Sequence, residues 1–351
     1  MVAVTGAASG VGHELVSRLA DSPRVRKVVA IDDHRGPASG VTWRVTDVRD
    51  PAVATRLSDV DALVHLALDT SPEAAARERR AYNVRGAQTV VTAAAAARVR
   101  RMVLVTSATV YGAHPDNPVP LPEDAPLRAA PDTGVVGDFL EMEDLATRAA
   151  ATHPGTDVTV VRPAALVGGG VDSIVTRHFE APRLLVIQGT RPRWQFCHID
   201  DLTSVLELAG LGDVSGSFAV GCDGWLDHET VAEVAELGDV ELPASITFGT
   251  AQRLHRVGVT PAPADDLRYV VYPWVVDCPT LRATGWKPAY DNEAALRVLL
   301  EDAAGRHAVA GRRVSRKDAT TAAAGAAGAT AAVIGAAAVA RHVRRRRAPG
   351  E

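Results

Sequence analysis

The glycine-rich stretch Thr5–Gly12 has the residue types and spacing of a site for an anionic ligand. It follows a short apolar run, Val2–Val4, and leads into a helical stretch, His13–Ala20, so the sequence predicts a strand, a turn and a helix. Glycines permit the sharp turn, the close approach of a ligand and the packing of the helix on the strand. Because free amides at a helix N-terminus stabilise negative charge, we expect a phosphate group here.

A carboxylate follows the second predicted strand, at the position where a dinucleotide-binding site uses one. Lys27–Ile31 predicts a second buried strand that ends in Asp32, 20 residues after Gly12. In dinucleotide-binding folds a carboxylate at this point accepts hydrogen bonds from the adenosine ribose. Asp32 would repel a 2′-phosphate, so we expect NAD rather than NADP, although the nearby Arg35 weakens that preference.

The strands and helices that position these residues are predicted from the alternation of apolar runs with helical stretches along the chain. Further strands are predicted at 42–46, 61–67, 101–107 and 158–161, and long helices at 72–98 and 134–152. Strands separated by helices predict an α/β fold, a Rossmann-type doubly wound parallel sheet, and the loop-rich remainder predicts a smaller C-terminal substrate lobe. We expect a cofactor domain over 1–163, to which some later segments return, a lobe over 164–305 and an Ala-rich basic tail over 306–351.

Composition narrows the classes of partner. The tail holds ten of the 38 basic residues and two of the 42 acidic ones, which leaves residues 1–305 at a formal charge of −12. This charge argues against nucleic-acid binding. Three isolated cysteines, Cys197, Cys222 and Cys278, imply neither a disulfide framework nor a metal site. The first strand begins at Val2, which leaves no room for a secretory signal, so we expect a cytoplasmic protein.

The tail contains an uncharged stretch, Ala319–Ala340, between clusters of basic residues. As a helix its 22 residues would be about 33 Å long, enough to span a bilayer core. Thirteen of them are Ala and only Val333, Ile334 and Val339 are strongly apolar. We therefore expect a flexible, partly helical appendage whose arginines touch anionic membrane surfaces, with a true membrane anchor as the alternative.

Motifs along residues 2–301 resemble the extended short-chain dehydrogenase/reductase family, which includes NAD-dependent sugar-nucleotide epimerases and dehydratases. They are Thr5-Gly6 through Gly12, Asp32, Asp47-Val48, His65-Leu66-Ala67, Asn83-Val84 with Gly86, Ser107-Ala108-Thr109-Val110-Tyr111-Gly112, Arg162-Pro163 with Gly168, His198-Ile199-Asp200-Asp201, and Thr284-Gly285-Trp286-Lys287-Pro288. The glycine spacing is that of the family's single-domain branch, with Ser9 where extended members usually have glycine.

The resemblance implies a set of cofactor-binding residues and one catalytic residue. It places Asp47 and Val48 near the adenine, Ala67 beside the pyrophosphate and nicotinamide ribose, and Ser107 beside the reacting carbon. The implied cofactor-binding residues are Gly6, Ser9, Gly10, Val11, Gly12, Asp32, Asp47, Val48, Leu66, Ala67, Asn83, Arg162 and Pro163.

The sequence departs from the family where proton transfer takes place. Members carry a tyrosine and a lysine four residues later as the acid/base pair, but alignment on Gly137 puts Val136 and Leu140 at these positions. Neither side chain can transfer a proton. The acids on this helical stretch include Asp138, Glu141 and Glu143. The predominant expectation is that they are ordinary solvated charges, and the alternative is a relocated acid/base.

Two functions fit these residues. The first is an NAD-binding protein in which the usual oxidoreductase step is lost or weak, acting as a cofactor-binding sensor. The second is an active epimerase, dehydratase or reductase that uses a substitute acid/base on a nucleotide sugar or a related small carbonyl compound. The resemblance also suggests a homodimer packed through two long helices, although Ala-rich helices occur equally in monomers.

Overall fold

A computed structural model describes residues 1–8, 10–256 and 263–306, together with the backbone of two short strands that follow. The described strands are β1 (Val2–Thr5), β2 (Val28–Asp32), β3 (Thr42–Val45), β4 (Ala62–His65), β5 (Arg101–Val105), β6 (Asp157–Pro163), β7 (Ala165–Val167), β8 (Leu184–Ile187), β9 (Arg193–Trp194), β10 (Phe196–His198), β11 (Ser217–Val220), β12 (Leu226–Asp227), β13 (Asp239–Leu242), β14 (Ala308–Val309) and β15 (Arg312–Arg313).

Seven of these strands form one parallel sheet in the order β11-β6-β5-β4-β1-β2-β3. The chain builds outward from β1 to β3 and then returns to the other side of β1 at β4. Ligands of doubly wound folds bind at the carboxyl ends of the strands beside this reversal. The predicted Rossmann-type α/β fold is therefore confirmed, and the site is expected next to β1 and β4.

The described α-helices are α1 (Gly10–Asp21), α2 (Val53–Arg56), α3 (Ala76–Arg80), α4 (Gly86–Ala96), α5 (Val135–Thr152), α6 (Ile174–Phe179), α7 (Ile199–Leu211), α8 (His228–Ala235), α9 (Ala244–Arg256), α10 (Arg268–Val271), α11 (Pro279–Ala283) and α12 (Asn292–Ala303). Short 3₁₀ turns lie at Ala108–Tyr111 and Ala264–Leu267. The long helix predicted over 72–98 is divided into α3, a π-helical turn at Ala81–Arg85 and α4.

Helices cover both faces of the sheet. Side chains of α1 and α7, such as Leu15 and Leu206, pack with Val4 of β1 on one face. Those of α4 and α5, such as Val90 and Ala146, pack with Ala3 on the other. Alternate residues of β1 therefore serve two cores, which is why the buried strands are continuous apolar runs in the sequence.

Two segments that follow residue 163 pack with the sheet and helices formed by the first part of the chain. Helix α7 packs against α1, and β11 extends the sheet beyond β6. The region 164–305 thus supplies part of the sheet as well as a lobe, in which β8 pairs with β13 and β9 with β12. Its three cysteines are free and buried.

Some predictions lie outside the described residues. Ser9 is one of them, and so is the uncharged stretch Ala319–Ala340 of the tail, on which the membrane predictions rest. Within the described part of the chain, no helix is long and apolar enough to cross a bilayer.

Candidate functional site

A cavity of about 480 Å³ opens at the carboxyl ends of β1, β2, β4, β5 and β6. Segments of the C-terminal lobe close its other side. Several sequence-predicted site residues line it: Gly6, Gly10, Val11, Gly12, Asp32, Leu66, Ala67, Ser107, Val136 and Pro163. This volume is in the range of small-molecule and cofactor sites.

The glycine turn forms one wall of the cavity. A Cβ added to Gly12 would lie 1.8 Å from the carbonyl oxygen of Gly6, so a side chain at Gly12 would force α1 away from β1. Gly10 begins α1 with a φ of +54°, and a Cβ added to it would meet nothing within 4 Å. The amides at the start of α1 thus face open space that an anionic group could occupy.

Asp32 ends β2 and is held rigidly beside this turn. Its Oδ2 accepts the amide of Ala8 at 2.9 Å, and its Oδ1 accepts the amide of Asp33 at 2.8 Å. Burial raises the pKa of Asp32, while the two amide hydrogen bonds act against that increase. A carboxylate has further lone pairs, so Asp32 can still accept hydrogen bonds from a ligand.

Ligand atoms of Asp32, Asp33 and His34 lie within 4.8 Å of one another, a grouping that the sequence analysis did not predict. Both oxygens of Asp32 accept backbone amides, and His34 Nδ1 lies 2.5 Å from Asp33 Oδ1. The contacts of this cluster are therefore made within the protein.

Ser107 follows β5, three strands away from Asp32 in the sheet. It caps the 3₁₀ turn Ala108–Tyr111, where its Oγ accepts the amide of Thr109 at 3.2 Å. The same hydroxyl donates weakly to the carbonyl oxygen of Pro163, at 3.5 Å. Ser107 therefore presents a fixed hydroxyl to the cavity but has no neighbouring base among these contacts.

Helix α5 contributes an apolar wall. Val135, Val136 and Phe139 line the cavity, whereas Leu140 does not and instead packs against the core. The residues four apart that both face the cavity are thus Val135 and Phe139, rather than Val136 and Leu140. Neither pair carries a titratable group, so the α5 residues lining the cavity cannot transfer a proton.

The three acids of α5 that the sequence analysis names are engaged outside the cavity, and the expectation of solvated charges is wrong for Asp138 and Glu143, which are buried. Glu143 is buried and accepts from Arg162 Nε at 2.9 Å and Nη2 at 2.8 Å. Asp138 Oδ2 accepts from Arg79 Nε at 2.9 Å and from Asn83. The exposed Glu141 pairs with Arg80. These contacts give the acids structural roles, and none of them lines the cavity.

Four predicted cofactor-binding residues are not among those that line the cavity: Asp47, Val48, Asn83 and Arg162. Asp47 Oδ2 lies 2.5 Å from Arg49 Nη2, and Val48 is buried against Gly86. The amide group of Asn83 bonds both the N–H and the carbonyl oxygen of Asp69, which fixes the loop after β4.

Sequence reasoning missed part of the cavity. The C-terminal lobe supplies Asp266, Tyr269 and Trp274, and the π-helical segment supplies Tyr82. Burial raises the pKa of Tyr82 to about 12, so this phenol stays protonated at neutral pH. Asp266 follows Asp265 in an acidic pair, a common surface pattern that gives no sign of burial in a cavity.

Comparisons with known proteins place this fold and cavity in a family. A sequence model of the NAD dependent epimerase/dehydratase family matches residues 2–215, more than half of the chain. The chain therefore belongs to that family. An uncharacterised protein of Mycobacterium tuberculosis is 29% identical over 306 residues, which cover 83% of this chain and 80% of the relative.

Two further relatives have named activities or ligands. The 4-hydroxy-2-methyl-3-oxo-4-farnesyl-3,4-dihydroquinoline-1-oxide ketoreductase of Stigmatella aurantiaca is 29% identical over 235 residues, covering 62% of this chain and 68% of the relative. The solved structure of MoeE5 in complex with UDP-glucuronic acid and NAD has a TM-score of 0.66 and 22% identity, covering 86% of this chain and 98% of that chain. The latter likeness concerns the fold.

Proposed function

We propose that this chain binds NAD(H) in the cavity and acts as a cofactor-binding sensor or a weakly active enzyme. The observation that carries the proposal is the cavity, which combines the glycine turn and Asp32 with an apolar α5 wall beside Ser107. Family membership and the NAD present in the MoeE5 complex support the choice of cofactor.

The residues present fit the cofactor. Open space at Gly10 leaves room for a pyrophosphate at the amides of α1, and Asp32 is placed to accept hydrogen bonds from a ribose diol. NAD supplies a hydride acceptor, and NADH a hydride donor, when bound. Around the reacting group, Ser107 can donate a hydrogen bond to a carbonyl oxygen, and Val135, Val136 and Phe139 exclude water.

The missing acid/base pair sets the expected rate. A positioned proton-transfer group contributes about 10²–10⁴-fold to rate, and the described α5 side chains in the cavity supply none. A second candidate function is a slow reductase of a small carbonyl compound. The fixed Ser107 hydroxyl in the cavity favours it, as does the ketoreductase activity named for the Stigmatella relative.

A binding and turnover experiment separates the two functions. NADH binding is followed by fluorescence, and turnover by the absorbance of NADH with a panel of ketones and nucleotide sugars. We expect saturable NADH binding without turnover, and Ser107→Ala should leave NADH affinity within about twofold because its hydroxyl bonds protein groups. Turnover that Ser107→Ala abolishes would favour the reductase, and absence of NADH binding would reject both.

A further inference from the structure

A buried carboxyl group in the cavity lacks the contacts that burial requires. Asp266 lies in the 3₁₀ turn Ala264–Leu267 and is 7% exposed. Its Oδ1 is buried and has no hydrogen-bond partner among the described residues. Buried polar atoms are almost always paired, so an unpaired one that lines a cavity points to a ligand donor.

Asp266 lines the cavity together with Ser107 and the first residues of α5. Tyr269, one turn further along, donates its hydroxyl to the carbonyl oxygen of Thr109 at 2.9 Å. The amide of Thr109 in turn donates to Ser107 Oγ. Hydrogen bonds thus link the segment that carries Asp266 to the segment that follows Ser107, and this part is the Asp266 end of the cavity.

The charges around Asp266 are predominantly negative. A Cβ built on Gly134 would lie 3.0 Å from Asp132 Oδ1 and 3.1 Å from Asp266 Oδ1, so the two carboxyl groups are neighbours. Arg79 is the nearby cation, but it donates to Asp138 and to the carbonyl oxygen of Thr133. Asp132 and Asp265 thus add negative charge beside Asp266, and Arg79, the cation that opposes them, is already engaged.

The walls of this end are apolar and aromatic. Val135 and Phe139 come from α5, and Tyr269 and Trp274 come from the lobe. The indole N–H of Trp274 donates to the carbonyl oxygen of Tyr269 at 2.8 Å, so it is not free for a ligand. Aromatic rings beside carboxylates are a favourable environment for an organic cation.

We propose that this end of the cavity binds the protonated amine of a small apolar ligand, with the carboxylate of Asp266 as its hydrogen-bond acceptor. This inference rests on the proposed function, in which NAD(H) occupies the rest of the cavity. A nucleotide sugar is the wrong class, because its diphosphate would lie against the carboxyl group of Asp266. Among the described residues lining the cavity, Arg79 and His34 already pair with Asp138 and Asp33.

Because Asp266 ionises, the proposal also predicts how the affinity for an amine changes with pH. Burial and the neighbouring Asp132 raise the pKa of Asp266 to about 7. Asp265 acts in the same direction, and Arg79 lowers this pKa. The phenol of Tyr269 also faces this carboxyl group. An amine that stays protonated between pH 6 and 8 should therefore bind more tightly as pH rises, because the carboxylate form becomes more populated.

The test uses the full-length protein saturated with NADH and three probes of similar size: benzylamine, benzyl alcohol and benzoate. Calorimetric titration at pH 8 should give benzylamine an affinity at least about tenfold above that of the alcohol, and benzoate the weakest binding. Asp266→Asn should remove this preference and the pH dependence. The matched control is Asp265→Asn, which changes an exposed carboxyl group next to it and should retain both.

Each outcome decides the proposal. Equal affinities for amine and alcohol, preference for benzoate, no benzylamine binding at millimolar concentration, or an unaltered preference in Asp266→Asn would overturn it. The three-probe comparison on the unmodified protein does not depend on the variants folding. NADH affinity is measured in the same samples: if NADH fails to bind, the proposed function fails, whereas NADH binding without amine preference rejects only this inference.

Discussion

In the proposed function, Asp32 is the residue on which the choice between NAD and NADP depends most directly. Its carboxylate is fixed by the amides of Ala8 and Asp33, so it meets a ligand without first having to be ordered. Hydrogen bonds to a charged acceptor are worth more than those to a neutral one. We therefore expect Asp32 to contribute to cofactor affinity through its fixed position as well as its charge.

Replacing Asp32 should weaken cofactor binding. We expect Asp32→Ala to reduce NADH affinity by about tenfold or more, because it removes a charged acceptor for ribose hydroxyls. Asp33→Ala is the control, since its exposed side chain pairs with His34. Fluorescence titration of NADH measures both variants, and equal losses for the two would contradict the role assigned to Asp32.

Asp266 should make stability depend on pH in a defined direction. Its pKa is about 7 in the folded chain against 3.8 ordinarily, so the folded state holds the proton more tightly and loses stability as pH rises from about 4 to 7. Asp266→Asn, which cannot ionise, should raise the free energy of unfolding by about 1–3 kcal/mol at pH 8 and change it little at pH 4. Urea denaturation measures this, and an effect independent of pH would be evidence against it.

Helix α5 is held in place by a buried ion pair whose residues do not line the cavity. Glu143 and Arg162 form a two-point contact, and Thr106 Oγ1 donates to Glu143 Oε1 at 2.7 Å. This contact ties α5 to β6 and to the end of β5. It thereby fixes which side chains of α5 face the cavity.

Breaking this pair should destabilise the fold. Glu143→Gln leaves the buried guanidinium of Arg162 without its counter-charge, which should lower the free energy of unfolding by about 3–5 kcal/mol. Glu141→Gln on the same helix should change it by less than about 1 kcal/mol, because Glu141 pairs with Arg80 at the surface. The comparison is made by denaturant unfolding, and similar losses in both variants would refute the structural role of Glu143.

The sequence predicts those features that are determined by residues close together in the chain, and it does not predict those that depend on contacts between distant segments. The turn at Gly6–Gly12 and the carboxylate at Asp32 follow from glycine geometry and from the end of an apolar run. The rotation of α5 does not follow from the sequence, because it is set by contacts with β6. The alignment puts Leu140 at the lysine position, whereas Phe139 is the residue of this turn that lines the cavity. Asp266 was missed since its burial comes from an approach of distant segments.

At the scale of the whole molecule, the topology brings the residues that line the cavity together. The reversal between β1 and β4 brings the ends of five strands to one cavity, and the lobe closes it with Asp266 and Tyr269. The alternation of strands and helices in the sequence was sufficient to predict the sheet. It predicts that some later segments return to the cofactor domain, but it could not identify them as α7 and β11, because these elements follow a region without regular alternation.

The central claim is that the cavity binds NAD(H) through Asp32 and the glycine turn. The most direct measurement is parallel fluorescence titration of the full-length protein with NADH and NADPH at physiological ionic strength. We predict saturable binding of NADH at least about tenfold tighter than that of NADPH, because a 2′-phosphate would face the carboxylate of Asp32. Absence of NADH binding, or tighter binding of NADPH, would contradict the account.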